Sequence, residues 1–144
     1  NEKGKKFNLS ILLSEIIKKY DNNNIYSELT SNINLFGKKD LIKRCITNFI
    51  DNALKYGSQI TIKLKQSNNN IIILIDDDGP GIPKNEYENV FKPFYKIDKS
   101  RGETKSSVGL GMSIASDIIQ SHGGNIKLDK SKLNGLQVRI TLPF

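Results

Sequence analysis

Arg44-Cys45-Ile46-Thr47-Asn48-Phe49-Ile50-Asp51-Asn52-Ala53-Leu54-Lys55-Tyr56 reads as a helix with two different faces. At about 100° per residue, Asn48, Asn52 and Lys55 share one narrow arc, while Ile42, Ile46, Phe49, Ile50, Ala53 and Leu54 fill the opposite side. One face packs against a core and the other is free to bind. Asparagine is a mediocre helix former because its amide competes for backbone hydrogen bonds. Two of them four residues apart form either a solvated face or a ligand site. A neutral amide oxygen suits Mg²⁺, a hard cation that keeps several waters and takes further oxygens from phosphates.

Downstream, Ile71-Ile72-Ile73-Leu74-Ile75-Asp76-Asp77-Asp78-Gly79-Pro80-Gly81-Ile82-Pro83 is an apolar run ending in three carboxylates and two glycines. Its length and β-branched composition predict a strand buried on both faces. Asp and Gly are ordinary turn residues. A calcium loop is excluded, because the alternating ligands and the distal Glu are missing. The functional reading is a carboxylate at a strand end, beside backbone without side chains, that accepts a hydrogen bond from an exocyclic amine such as that of adenine.

Ser107-Val108-Gly109-Leu110-Gly111-Met112 opens a second amphipathic segment with Leu110, Ile114, Ala115, Ile118 and Ile119 on its apolar stripe, closed by His122-Gly123-Gly124. Glycines at a helix start allow phosphate to approach free amide groups and the positive end of the dipole.

Taken in order, Asn-x-x-x-Asn-Ala-x-Lys-Tyr, Asp-x-Gly-x-Gly, Phe-x-Pro-Phe and Gly-x-Gly closely resemble the N, G1, F and G2 boxes of the sensor histidine kinase ATP-binding domain, in the wider GHKL group with Hsp90, DNA gyrase B and MutL. The resemblance spans nearly the whole chain, from Phe7-Asn8-Leu9 to Leu142-Pro143. Lys55-Tyr56-Gly57, Asp77-Asp78-Gly79-Pro80-Gly81 and Gly135-Leu136 look most like EnvZ-type osmosensor kinases. The implied cofactors are ATP and Mg²⁺. Position by position, the resemblance implies Asn52 as the Mg²⁺ ligand, with Asn48, Lys55 and Tyr56 around the phosphates. It implies Asp77 as the reader of the adenine amine, followed by Gly79, Gly81 and Ile82. Phe91 and Phe94 match the F box, Lys96 the basic position after it, and Gly109, Leu110 and Gly111 the phosphate-side glycines. Asn48, Asn52 and Lys96 are the implied catalytic set.

Three departures from the family pattern stand out. Ser107-Val108 replaces a common Gly-Thr, which stiffens the expected lid hinge. Lys96 replaces the commoner Arg, giving a point charge in place of a planar fork. Leu136 stands where a Ser or Thr often supports the adenine-site hydrogen bonds.

Composition agrees with one domain: 144 residues can bury a core, and 37% hydrophobic with 26% charged residues is ordinary for a globule. The chain opens on Asn1 and its one methionine is Met112, so a longer parent protein is expected. No apolar run is long enough to cross a bilayer and no secretory signal is present. The expected setting is a cytoplasmic domain of an inner-membrane sensor, monomeric as a fragment and homodimeric in the parent. Cys45 has no internal disulfide partner and reads as a packed thiol. The net charge of +7 raises nucleic acid as a partner. No zinc-finger spacing, RNP-type strand or helix-turn-helix signature supports that, and no membrane contact is expected either.

Predicted elements are a helix over about residues 9–20, a short strand over 25–29, and the amide-bearing helix from an N-cap at Asp40 to Tyr56. A hairpin with Ile60, Ile62 and Leu64 facing inward turns at residues 67–70 into the buried strand. A second hairpin pairs 125–128 with 136–142. The fold class is an α/β two-layer sandwich, with a mixed, mainly antiparallel sheet and helices on one face, the Bergerat ATP-binding fold of the GHKL group. Residues 92–108 carry Lys92, Lys96, Lys99, Arg101 and Lys105 with little apolar periodicity, and read as a lid in which Lys96 and Arg101 contact phosphate.

Neither a P-loop nor a His-Arg-Asp set is present, so phosphoryl transfer here rests on positioning and charge neutralisation. His122 reads as a helix-end residue, not as a phosphoacceptor. In the family the acceptor histidine lies on a separate dimeric helical domain upstream, which also mediates contact with a response regulator. The alternative is a non-catalytic ATP-binding switch that reshapes a partner interface. The intact Asn52, Asp77, Gly109 and Gly111 argue against it.

Overall fold

A computed structural model describes residues 2–21, 23–93, 95 and 107–144, with only the main chain of 107–111. The elements are β1 (Lys5–Asn8), α1 (Leu9–Lys18), β2 (Ile25–Leu29), β3 (Asn34–Gly37), α2 (Lys39–Tyr56), β4 (Ile60–Ser67), β5 (Asn70–Asp77), α3 (Ser107–Ser121), β6 (Asn125–Lys130) and β7 (Leu136–Pro143). Two 3₁₀ turns, Lys84–Glu86 and Asn89–Phe91, follow β5.

Five strands form one sheet in the order β2-β4-β5-β7-β6. Only the β2–β4 pair is parallel; the other neighbours are antiparallel. The β4–β5 hairpin turns through Asn68 at φ 55°, a left-handed conformation that asparagine tolerates. Its register sets Ile62 opposite Ile75, and β7 sets Val138 on the other side of Ile75. Alternation then aligns Ile60, Ile62 and Leu64 with Ile71, Ile73, Ile75 and Asp77 on one face. That face packs against Leu12, Leu13 and Ile16 of α1, Ile42, Ile46, Phe49 and Ile50 of α2, and Ala115 and Ile119 of α3. Ile72 is buried as well, yet lies outside this cluster because it belongs to the opposite face of the sheet. The two-layer sandwich with a mixed, mainly antiparallel sheet is therefore as expected. Asp77, the last residue of the central strand, is delivered to the helix side at the edge of the core.

Three local expectations are corrected. β1 and β3 form a separate antiparallel ribbon that the sequence pattern does not announce, each being only four residues long. Helix α1 ends at Lys18, two residues early. The N-cap of α2 is Lys38, not Asp40, which lies in the first turn. Lys38 supplies no side-chain cap. Remote groups satisfy the exposed amides instead: Glu2 accepts from the N–H of Asp40 at 2.8 Å and of Leu41 at 3.3 Å, and His122 Nε2 accepts from the N–H of Lys38 at 3.0 Å.

Candidate functional site

The C-terminal end of α2 and the turn after β5 are pressed together without intervening side chains. A Cβ on Gly79 would lie 2.6 Å from the Tyr56 carbonyl oxygen, and one on Gly57 would lie 2.8 Å from Asp78 Oδ1 and 3.1 Å from the Gly79 nitrogen. Both are tighter than ordinary packing allows, so the two glycines set how closely helix and turn approach. Gly81 adopts φ +72°, turning the chain away toward Ile82, which packs on the core.

Asp77 sits in the resulting corner, only 8% exposed. Its Oδ1 accepts from the Gly79 N–H at 2.9 Å and from the Leu136 N–H at 3.1 Å, while its main-chain oxygen accepts from the Gly135 N–H at 3.1 Å. These bonds hold the carboxylate in one orientation, and both side-chain bonds fall on the same oxygen. Oδ2 has no protein donor among the described residues. Burial raises the Asp77 pKa above its ordinary 3.8, against the lowering by the Leu136 and Gly79 amides. Gly135 admits no Cβ, since one would overlap the Asp77 carboxylate and main-chain oxygen. Leu136, where a hydroxyl was expected to be missed, supports Asp77 through its backbone N–H. Gly57 and Gly135 are residues of this corner whose necessity sequence reasoning passed over; their places after Tyr56 and before Leu136 were the available signals.

The neighbouring Asp78 has a structural role that the sequence reading assigned to no residue. It accepts from the Ser58 N–H at 2.7 Å, the Gln59 N–H at 2.9 Å and the Ser58 hydroxyl at 2.8 Å. The Gln59 amide first, then Ser58, lowers its pKa. The loop between α2 and β4 is thereby tied to the same turn. Asp76 points to the opposite sheet face, where Gln137 Nε2 donates to it at 3.2 Å. Three adjacent carboxylates thus have three different environments, and only Asp77 is bonded to both the Gly79 turn and the start of β7.

One turn before Tyr56, Asn52 is half-buried, and its Nδ2 is fully enclosed without a hydrogen-bond partner. A buried orphan amide costs about 1–3 kcal/mol and native structures rarely keep one without a reason. Asn48, a turn earlier, is also half-buried. Lys55 is exposed, with Nζ 5.6 Å from the centre of the half-buried Tyr56 ring. Among the described residues no group of three or more His, Cys, Asp or Glu side chains could cage a metal. The available donor set is one or two neutral amides. It fits a hydrated Mg²⁺ that takes its remaining oxygens from phosphate, and does not fit an all-protein site.

Phe91 is half-buried at the end of the second 3₁₀ turn, which packs against α3. The main chain of Gly109, Leu110 and Gly111 lies in the first turns of α3. Phe94, Lys96, Arg101 and residues 96–106 of the expected lid lie outside the described residues. Helix α3 runs beside α2, with Cys45 Sγ 3.7 Å from the Ala115 carbonyl oxygen. Cys45 is fully buried and burial pushes its thiol up to about 12, so it is a packing residue as expected. His122 ends α3 with Nδ1–H donating to the Ile118 carbonyl at 2.7 Å and Nε2 accepting from Lys38, a neutral, structural arrangement. No helix among the described residues is long and apolar enough to cross a membrane.

Residues 37–144 match the family described as histidine kinase-, DNA gyrase B- and HSP90-like ATPase. The sensor histidine kinase GtrS of Pseudomonas aeruginosa is 39% identical over 107 residues, covering 74% of this chain and 22% of that protein. The sensor histidine kinase WalK of Bacillus subtilis is 34% identical over 135 residues, covering 90% and 21%. The chain spans less than a quarter of the length of either relative. The histidine kinase domain of the E. coli osmosensor EnvZ superposes with a TM-score of 0.75 at 29% identity, over 99% of this chain and 91% of that one. On these matches the chain belongs to the histidine kinase-, DNA gyrase B- and HSP90-like ATPase family, as an ATP-binding domain of the sensor histidine kinase type.

Proposed function

We propose that this chain binds ATP with Mg²⁺ and donates the γ-phosphoryl group to a histidine on a separate dimeric helical domain of the same two-component sensor protein. The observation that carries the reading is the Asp77 carboxylate, fixed by two backbone amides on one oxygen, with no donor to the other among the described residues. A carboxylate oxygen without a protein donor suits an exocyclic amine, and the adjacent glycine-lined backbone suits a flat base.

Asn52, and Asn48 beside it, hold the metal side of the site. Bound Mg²⁺ supplies charge neutralisation on the phosphates. The protein's own contribution is positioning: Asp77 orients the base, Asn52 and Asn48 orient the phosphate end, and Lys55, Lys96 and Arg101 add positive potential. Gly109 to Gly111 leave room for phosphate beside the start of α3. In the transfer, an imidazole nitrogen of the acceptor forms the N–P bond as the bond from the γ-phosphorus to the bridging oxygen breaks. ADP leaves with that electron pair, and the imidazole releases its proton to solvent. His122 takes no part, since both its ring nitrogens are engaged. The partner set is the acceptor domain and, through it, a response regulator; the setting is the cytoplasmic side of a membrane sensor.

Incubation with γ-labelled ATP tests the division of labour. The chain alone stays unlabelled, and the supplied acceptor domain gains acid-labile label. Efficient self-labelling of the isolated chain would refute it.

A further inference from the structure

Helix α2 carries one more residue on its binding arc. Arg44 lies one turn before Asn48, and at 100° per residue Arg44, Asn48, Asn52 and Lys55 fall within about 80° of one another. The order along the helix has a direction: Tyr56 and Gly57 touch the Asp77 to Gly79 corner, Asn52 comes next, then Asn48, and Arg44 is outermost. Each step is about 6 Å along the axis.

Arg44 is exposed and makes no hydrogen bond or ion pair among the described residues. Asp40, one turn earlier and within reach in an ordinary i,i+4 pair, does not engage it. Two other cations of α2 are engaged elsewhere. Lys55 lies over the Tyr56 ring, and Lys43 faces Lys19 on the α1 side of the helix. Long helical side chains lean toward the helix N-terminus, so the guanidinium extends away from Asn48 and past the end of the nucleotide path. An arginine there is too far out to serve the phosphates held at Asn52, and stands where the protein that receives the phosphoryl group must approach.

Resting on the function proposed above, we infer that Arg44 is a positioning residue for the acceptor domain, docking a carboxylate on that domain's surface at the outer end of the nucleotide path. The planar guanidinium suits a carboxylate, which it engages with two parallel hydrogen bonds, and a lysine supplies the charge without the fork.

The test uses the intact protein that contains this chain, labelled with saturating Mg·ATP, and variants R44A, R44K and R44E, with K43A as control. Expected are a labelling rate at least tenfold lower in R44A, a larger loss in R44E, partial retention in R44K and no change in K43A. The KM for ATP stays constant, and R44A melts at the wild-type temperature. Calorimetry with this chain shows equal ATP affinity for wild type and R44A. A wild-type labelling rate in R44A overturns the inference, as does an R44A loss of ATP affinity without loss of ADP affinity, which would make Arg44 a phosphate ligand. Failure of the wild-type protein itself to label overturns the functional reading and this inference with it.

Discussion

The Leu136 N–H and the Asp77 carboxylate are 3.1 Å apart across 59 residues of sequence, and this bond joins the end of the central strand to the start of the last one. Gly135 makes the approach possible, because any β-carbon there would overlap Asp77. Gly135→Ala is therefore expected to destabilise the fold by about 1–3 kcal/mol through overpacking and to abolish ATP binding. Denaturant unfolding and calorimetry check both. Leu136→Thr, which keeps the backbone N–H, leaves the Asp77 orientation intact and retains binding.

Asp77→Asn keeps the shape and replaces a charged acceptor by a neutral amide. ATP affinity is expected to fall by about 1.5–3 kcal/mol, the range for hydrogen bonds to charged groups. The pH response carries the sign of the raised pKa. Asp77 takes up its proton at a higher pH than an exposed aspartate does, so ATP affinity of the wild type declines earlier on acidification than an exposed aspartate would dictate. For stability the sign is opposite: the raised pKa favours the folded state below 3.8, and that contribution is lost as pH rises through the folded value. Calorimetric titrations at several pH values distinguish wild type from the variant, whose acid-side decline is absent.

Asp78 gives the converse case. Its lowered pKa stabilises the folded state above the unfolded value of 3.8, and that stabilisation disappears as pH falls through the folded value. Asp78→Asn is expected to lose stability at neutral pH and to converge with the wild type in acid. Melting curves test the convergence when recorded from about 2 units below a carboxylate pKa to about 3 units above it.

Asn52 is expected to trade stability for function. Its enclosed Nδ2 lacks a partner, so Asn52→Ala removes an unsatisfied polar group and changes stability by no more than about 1 kcal/mol in either direction. The Mg²⁺-dependent part of ATP affinity disappears, while binding measured in chelator is unaltered. A variant that melts far below the wild type, or that keeps the metal response, contradicts the assignment.

The start of α2 depends on residues far from it in sequence. Glu2→Ala exposes the Asp40 and Leu41 amides and is expected to cost about 1 kcal/mol, the usual value of an N-cap. Hydrogen exchange at those two amides accelerates. Gly37→Ala, whose Cβ would lie 2.6 Å from the His122 ring, displaces the imidazole from Lys38 and speeds exchange at the Lys38 amide.

Periodicity in the sequence determined a great deal here. The apolar stripe of α2, the β-branched run from Ile71 to Ile75 and the alternation of Ile60, Ile62 and Leu64 are local signals, because a 3.6-residue or two-residue repeat needs no distant partner to be visible. They sufficed for the helices, the two hairpins and the two-layer class, and the spacing of Asn52, Asp77 and Gly109 brought the family into view. Tertiary structure alone decided the β1–β3 ribbon, whose strands are too short to show a period, and the capping of α2 by Glu2 and His122. It alone showed the different partners of Asp76, Asp77 and Asp78, identical in chemistry and adjacent in sequence, among which the motif spacing had already pointed to Asp77. Which of them is bonded to the start of the last strand, tied to a loop or paired with a side chain on the far sheet face depends on amides contributed by Leu136, Ser58 and Gln59 and on the amide side chain of Gln137, and no local pattern records those meetings.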